Sequence, residues 1–227
     1  TLTVNKATLR IQATASPTVL TYGSDPLPAL GFTPAGLKYN ESFDDVVTTV
    51  KPLTYNMGGL TDMAVTDGET TSRVVSSVPG DYTITPVING VFTSKNYNFT
   101  TSAVTVTVSQ YNLGISGITV NSKVYDGTTT VKASQIDYSN VYFDCILPID
   151  RQYMQNNGIT GESQITVVAE YDNADGTGKD AGTAKKVNVQ ITLNGDSYLA
   201  QRAFINGDRN NQTETTADIT PRPIKVE

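Results

Sequence analysis

The sequence predicts an all-β protein made of two tandem β-sandwich modules, and three observations lead there. Apolar and polar residues alternate with period two in AVTVTV (103–108) and VNVQITL (187–193), the pattern of a sheet with one wet face. Turn dipeptides separate such runs at short intervals. Landmarks of three unlike kinds recur about a hundred residues apart, close to the length of one sandwich module.

The strands expected from alternation are TLTV (1–4), TLRIQAT (8–14), SRVVSSV (72–78), DYTITPVI (81–88), SAVTVTV (102–108), QITVVAEY (164–171) and KVNVQITL (186–193). Turns are expected at Asp67-Gly68, Asn89-Gly90, Asp126-Gly127, Asn157-Gly158, Asn194-Gly195 and Asn206-Gly207. No segment carries a sustained helical stripe. LKYNESFDDVV (37–47) and IDRQYMQNN (149–157) read as short helical turns at most. Many short strands with few helices point to sandwiches rather than a parallel α/β enzyme.

The repeat is read from its joints. VNKATLRI (4–11), VSQYNLGI (108–115) and ITPRPIKV (219–226) share apolar spacing and place Leu9, Leu113 and Ile224 equivalently. Tyr22-Gly23 and Tyr125-Asp126-Gly127 then follow at nearly equal distances, and Ile88-Asn89-Gly90 matches Leu193-Asn194-Gly195. The modules are therefore set at 1–108 and 109–227. The joints hold almost no Gly/Ser linker, and Pro221 and Pro223 stiffen the last one, so an extended rod is expected.

Composition narrows the function. Of 227 residues 38% are hydrophobic and only 17% charged, with Thr, Ser, Asn and Gly carrying the polar weight. A net charge of -6 and a pI near 4.7 argue against nucleic acid or an anionic membrane as partner. No apolar run approaches 18 residues, so no membrane insertion is expected. The single cysteine, Cys145, stands among apolar neighbours in NVYFDCILPID and reads as a buried, inert thiol. The chain starts at Thr1 without a Met, which reads as a piece of a longer protein whose signal and anchor lie outside it.

Candidate chemistry finds little support in the residues. With no histidine and one cysteine, Ser-His triads, histidine bases and Cys/His zinc sites are excluded. The acidic loop Asp172, Asn173, Asp175, Asp180 fails the spacing of a calcium loop and reads as a solvated hairpin tip. Lys123 and Lys186 are candidates for a Lys–Asn isopeptide bond, but exposed lysines are the simpler expectation. Tyr138, Tyr142, Tyr153 and Tyr198 offer either an aromatic ligand platform or ordinary packing. Tyr82 in GDYTI is placed to bond back to the backbone, with Ile84 two residues on in the core. No catalytic, cofactor-binding or metal residue is assigned, and no cofactor is expected.

Two ordered motif sets resemble known repeats. TYGSDPLPALGFTPAGL (21–37), PGDYTITPV (79–87), KNYNFT (95–100) and a closing AVTVTV resemble the MBG-type repeat of bacterial surface proteins. KVYDGTTTV (123–131), AEYDN (169–173), DAGTAKKVNVQITLNGDSY (180–198) and TADITPRPIKV (216–226) resemble the companion YDG-type repeat. The second set departs from its pattern at YFDCILPIDRQYMQNNGITGE, DNADGTGKDAGT and LAQRAFINGDRNNQ, and any module-specific role is expected there. The resemblance implies immunoglobulin-like modules of an extracellular protein, secreted or held at the cell wall. It implies a rigid spacer, stalk or adhesive scaffold and no catalysis. The partners it implies are neighbouring repeats of the same chain. The alternative is a binder of host glycan or protein centred on the second module. In KVYDGTTTV, Lys123–Tyr125 are expected to end a strand, Asp126-Gly127 to turn, and the threonines to begin the next strand.

Overall fold

In the segment ATLRIQATAS, Leu9, Ile11 and Ala13 are buried while their neighbours are partly or fully exposed, which is what a strand with one covered face requires. The computed structural model describes residues 3–205 and 211–224 and is all-β with few helices. Its chain divides into two compact units, Thr1–Ser109 and Gln110–Glu227.

The first unit holds β1 (Ala7–Ser16), β2 (Val19–Thr21), β3 (Ala29–Ala35) and the short helix α1 (Phe43–Val46). It continues with β4 (Thr48–Thr49), β5 (Thr54–Asn56), β6 (Asp62–Asp67), β7 (Thr70–Val75) and β8 (Gly80–Val87). It closes with β9 (Phe92–Thr93), β10 (Tyr97–Ser102) and β11 (Val104–Ser109). One sheet has the order β10-β1-β3 and the other β2-β11-β8-β5, and β1 packs across onto β8 and β11. Leu9 and Ile11 of β1 form a core cluster with Val91, Phe92 and Tyr97. Phe43 meets Phe92 edge-on there, ring centroids 5.6 Å apart, and Phe32 and Phe99 complete the aromatic group. Leu20, Tyr22, Val75, Ile84, Val106 and Val108 of this unit are buried as well. Asp67 pairs with Thr70, so the two-residue turn is Gly68-Glu69, with Gly68 at φ 60°, one residue on from the expected Asp67-Gly68.

The second unit holds β12 (Tyr111–Asn112), β13 (Gly114–Ser116), β14 (Thr119–Val120), β15 (Lys123–Val124), β16 (Ile136–Asp137) and β17 (Tyr142–Asp144). After helix α2 (Pro148–Asn156) come β18 (Ile165–Tyr171), β19 (Gly182–Leu193), β20 (Ala203–Phe204) and β21 (Glu214–Thr220). Its main sheet runs β15-β21-β19-β18.

Pairings recur between the two units. β2 runs parallel to β11 and β15 runs parallel to β21, each the short strand that leads into the TYG or YDG sequence. β11 is antiparallel to β8, and β21 to β19. β1 is parallel to β10, and β12 to β20. Leu9 and Leu113 are fully buried, whereas Ile224, which matches them in sequence, is 88% exposed.

Several expectations change. Thr3 and Val4 are not strand, because β1 begins only where Ala7 meets Tyr97 of β10. SRVVSSV ends as a strand at Val75, and SAVTVTV is broken at Ala103 between β10 and β11. Residues 149–156 of the segment belong to a nine-residue helix, α2, with Pro148 at its first position and Ile149, Asp150 and Met154 buried. Asn157-Gly158 is its cap rather than a hairpin turn. Gly158 has φ 63° and donates to Gln155 O, and Ile159 donates to Met154 O, a Schellman closure. Cys145 is exposed, not buried, because β17 stops at Asp144 and Cys145 turns the chain with φ 60°, out of the alternation that buries Phe143. Thr1, Leu2, the Asn206-Gly207 turn and Lys225-Val226 lie outside the described residues.

Candidate functional site

KVYDGTTTV is organised by its lysine. Lys123 follows Asn121 and Ser122 out of β14, and β15 aligns it with Ile219 of β21, whose side chain is buried. Lys123 is 8% exposed, contrary to the expected solvated lysine. Its Nζ donates to Asp126 Oδ1 at 2.8 Å, Thr128 O at 2.6 Å, Thr128 Oγ1 at 3.2 Å and Thr130 O at 3.2 Å, and lies over the Tyr171 ring. Asp126 Oδ1 also accepts from Thr128 N at 3.0 Å and Thr128 Oγ1 at 2.9 Å. The carboxyl is held far below the usual range by the lysine first and then by the Thr128 amide and hydroxyl. Gly127 turns at φ 77° as expected, but the threonines start no strand: only Thr130 bridges, to Glu170. The loop is wrapped on one buried ammonium, which Asp126, Thr128 and Thr130 face.

The equivalent loop of the first unit reaches a similar end with other residues. Tyr22 is buried, Asp25 Oδ2 accepts from Thr21 N at 2.6 Å, and Gly23 N and Asp25 O pair with the backbone of Val75. Tyr82 donates its hydroxyl to Val78 O at 2.5 Å and Ile84 is fully buried, as the GDYTI motif leads one to expect.

The four tyrosines separate. Tyr153 of α2 and Tyr198 stack with centroids 4.3 Å apart and planes 6° apart. Tyr142 is 62% exposed on β17 and Tyr138 is half-buried, and among the described residues no ring stacking joins either to that pair. The Arg202 guanidinium lies 3.9 Å from the Tyr198 centroid. Two groups that close must occupy opposite faces of one ring, so Tyr198 is the middle layer and Tyr153, 46% exposed, the outer one.

Beneath this stack lies Asp150, fully buried. Its Oδ1 accepts from Tyr198 Oη at 2.8 Å and its Oδ2 from Tyr111 Oη at 2.7 Å. Burial first, then the neighbouring carboxylate, pushes the Tyr111 hydroxyl well above the ordinary phenol range. Asp150, Tyr111 and Arg202 are not singled out by the sequence, though Asp150 and Arg202 lie in the divergent stretches where a module-specific role is expected. Asp150 and Tyr153 are one helical turn apart, the i, i+3 spacing that puts them on one face, but that spacing has meaning only once α2 is known to be a helix.

The acidic hairpin loop directs its oxygens at its own backbone. Asp172 Oδ1 accepts from Ala174 N, Asn173 Oδ1 from Gly178 N, and Asp175 Oδ1 from both Thr177 N and Oγ1. Lys186 pairs with Glu214 at 2.8 Å and Asp172 at 4.0 Å and remains half-exposed. Among the described residues neither Lys123 nor Lys186 bonds to an asparagine side chain; Lys123 meets Asp126, Thr128 and Thr130, and Lys186 meets Glu214 and Asp172. No helix of the described residues is long and apolar enough to cross a membrane.

No protein-family model matches this chain. No curated protein matches it either.

Proposed function

We propose that the chain is a non-catalytic pair of immunoglobulin-like modules, one of MBG type and one of YDG type, from a bacterial cell-surface or secreted protein. Its role is that of a rigid spacer, stalk or adhesive scaffold. The observation that carries this reading is the recurrence of one strand scheme in both units, with the TYG and YDG loops leaving the same strand of that scheme. In each unit those loops are tied to their own backbone and core, as a structural landmark would be. The test is made on cells producing the parent protein. Antibody raised against this 227-residue chain should label intact cells, and brief external proteolysis should remove the label. Labelling only after lysis sinks the reading.

A second reading has one observation in its favour. The Tyr153–Tyr198–Arg202 stack, braced by Asp150, presents a half-exposed aromatic ring in the divergent part of the second unit. Such a ring suits a host glycan or an apolar protein side chain. Binding to a glycan or host-protein array that disappears with Tyr153→Ala supports a ligand-binding module; array binding indifferent to that change rejects it.

A further inference from the structure

The first unit carries a second kind of surface, built from segments that the sequence marks only as a joint, a helical turn and a repeat motif. A cleft of about 550 Å³ opens between the segment preceding β1, the loop after β3 and the turn before β10. Its volume lies within the range of small-ligand sites. Lys6, Lys38 and Lys95 line it, three of the six lysines and arginines between residues 1 and 109. The only carboxylate in the lining, Glu41, accepts the hydroxyl of Tyr97. A chain of net charge -6 thus concentrates positive charge at one concave spot, where the field is focused.

The cleft is built, not merely crowded with lysines. Tyr97, only 2% exposed, bridges its two sides: its hydroxyl accepts from Lys38 N at 2.9 Å and donates to Glu41. That bond first, and then burial, hold the phenol above its usual range, so the brace stays protonated at neutral pH. Lys6 gives one of its three donors to Ser94 O at 2.7 Å. Lys38 and Lys95 donate from Nζ to no group among the described residues. Between the lysines the chain takes an unfavourable course. Tyr39 and Asn40 stand consecutively in the left-handed region, at φ 53° and 58°, and leave the Tyr39 ring 97% exposed. Two adjacent non-glycine residues there cost on the order of 1 kcal/mol each. Nothing in the unit's own packing draws on that ring.

We propose that this cleft binds an acidic saccharide. Lys38 and Lys95 meet its carboxylate or sulfate groups, Tyr39 lies against a sugar face, and the Asn5 and Asn96 amides answer its hydroxyls. Lysine ammonium groups are mobile point charges and suit anions spaced along a sugar chain, whereas a single planar carboxylate is better held by an arginine fork, which the lining lacks. An exposed aromatic ring beside amide side chains distinguishes a saccharide from a bare phosphate or an acidic peptide.

The test is isothermal titration of the whole 227-residue chain with three probes of matched length: oligogalacturonate, a heparin-derived oligosaccharide and a neutral cello-oligosaccharide. At least one acidic probe should bind, more than tenfold tighter than the neutral one and more weakly as salt is raised. Lys38→Gln with Lys95→Gln should weaken it at least tenfold, and Tyr39→Ala at least fivefold. All three positions are exposed, so unfolding temperatures should not change. Tyr153→Ala should leave this binding intact, which separates the site from the surface of the second unit. Failure of both acidic probes to bind overturns the proposal. So does equal binding of the neutral probe, or acidic binding that survives the double lysine change. Oligoglutamate binding as tightly, with no loss in Tyr39→Ala, would show a general anion surface and also overturn it.

Discussion

The ammonium of Lys123 lies 5.3 Å from the centroid of the Tyr171 ring, with both residues almost wholly out of water. The ring supplies a negative face, the Thr128 and Thr130 carbonyls supply acceptors, and Asp126 supplies the counter-charge from the rim. A YDG loop thereby becomes a fixed part of the β15-β21-β19-β18 sheet, and Tyr171 N closes it by donating to Thr129 O at 2.9 Å.

Removing that ammonium strands two carbonyls and a carboxylate at once. Lys123→Ala is expected to destabilise the second unit by about 2–4 kcal/mol. It should also strip hydrogen-exchange protection from the Tyr171 amide, whose acceptor belongs to the loop. Lys186→Ala, which breaks a half-exposed ion pair with Glu214, should leave the unfolding midpoint and the Tyr171 amide unchanged. Equal effects from the two substitutions would mean that the loop is not held by Lys123.

The same pairing fixes a dependence on pH. The folded Asp126 carboxyl sits below its ordinary value near 3.9, so its contribution is complete above about pH 4 and is lost as pH falls below that. Urea midpoints measured at pH 7, 4 and 2.5 should fall on the acid side. Asp126→Asn should begin with a lower midpoint at pH 7 and lose less on acidification. A parallel acid slope in the variant would show that other carboxyls carry the effect.

Much of the architecture can be read in advance, because alternation is local. The VVAEY and VNVQITL runs need only neighbouring residues to declare a half-buried strand, and both become strands of one hairpin. GDYTI likewise declares Tyr82, whose acceptor is four residues back. What local pattern cannot hold is a partner far along the chain. Asp150 is 39 residues from Tyr111 and 48 from Tyr198, so a buried carboxylate between two phenols looks in sequence like one more surface aspartate. Lys123 misleads for a different reason: its main acceptors are backbone carbonyls, which every residue has. Cys145 misleads because a single left-handed residue ends the alternation on which its burial depended.

Two glycines separate conformational freedom from space. Gly117 has φ 85°, and a Cβ there would collide with the Asn140 carbonyl oxygen, so alanine meets both strain and a clash with backbone. Gly176, at φ 79° in the acidic hairpin loop, has open space around its would-be Cβ. Gly117→Ala should cost about 2–4 kcal/mol and Gly176→Ala about 1 kcal/mol in urea unfolding. If the two costs are equal, the close approach of residues 117 and 140 is not maintained in solution.

The Asp150 knot makes the last prediction, on the alkaline side. Tyr111 is held above its ordinary value near 10, chiefly by burial and then by the carboxylate it serves. A raised folded value means that its contribution is complete below about pH 10 and drains away as pH rises beyond it. Tyr111→Phe keeps the ring but leaves Asp150 Oδ2 without that buried donor. It should lower stability at pH 7 by about 1–3 kcal/mol, and flatten without abolishing the loss between pH 9 and 11, since other tyrosines such as Tyr171 are also raised. The readout is the urea midpoint across that range, together with the near-ultraviolet dichroism of the tyrosines at pH 7. Asp150→Asn keeps an oxygen acceptor but removes the charge, so it should also lower the pH at which Tyr111 ionises. If Tyr111→Phe leaves the neutral midpoint unchanged, the knot does not depend on the Tyr111 hydroxyl. In that case the outer ring, Tyr153, would keep its place without any help from β12.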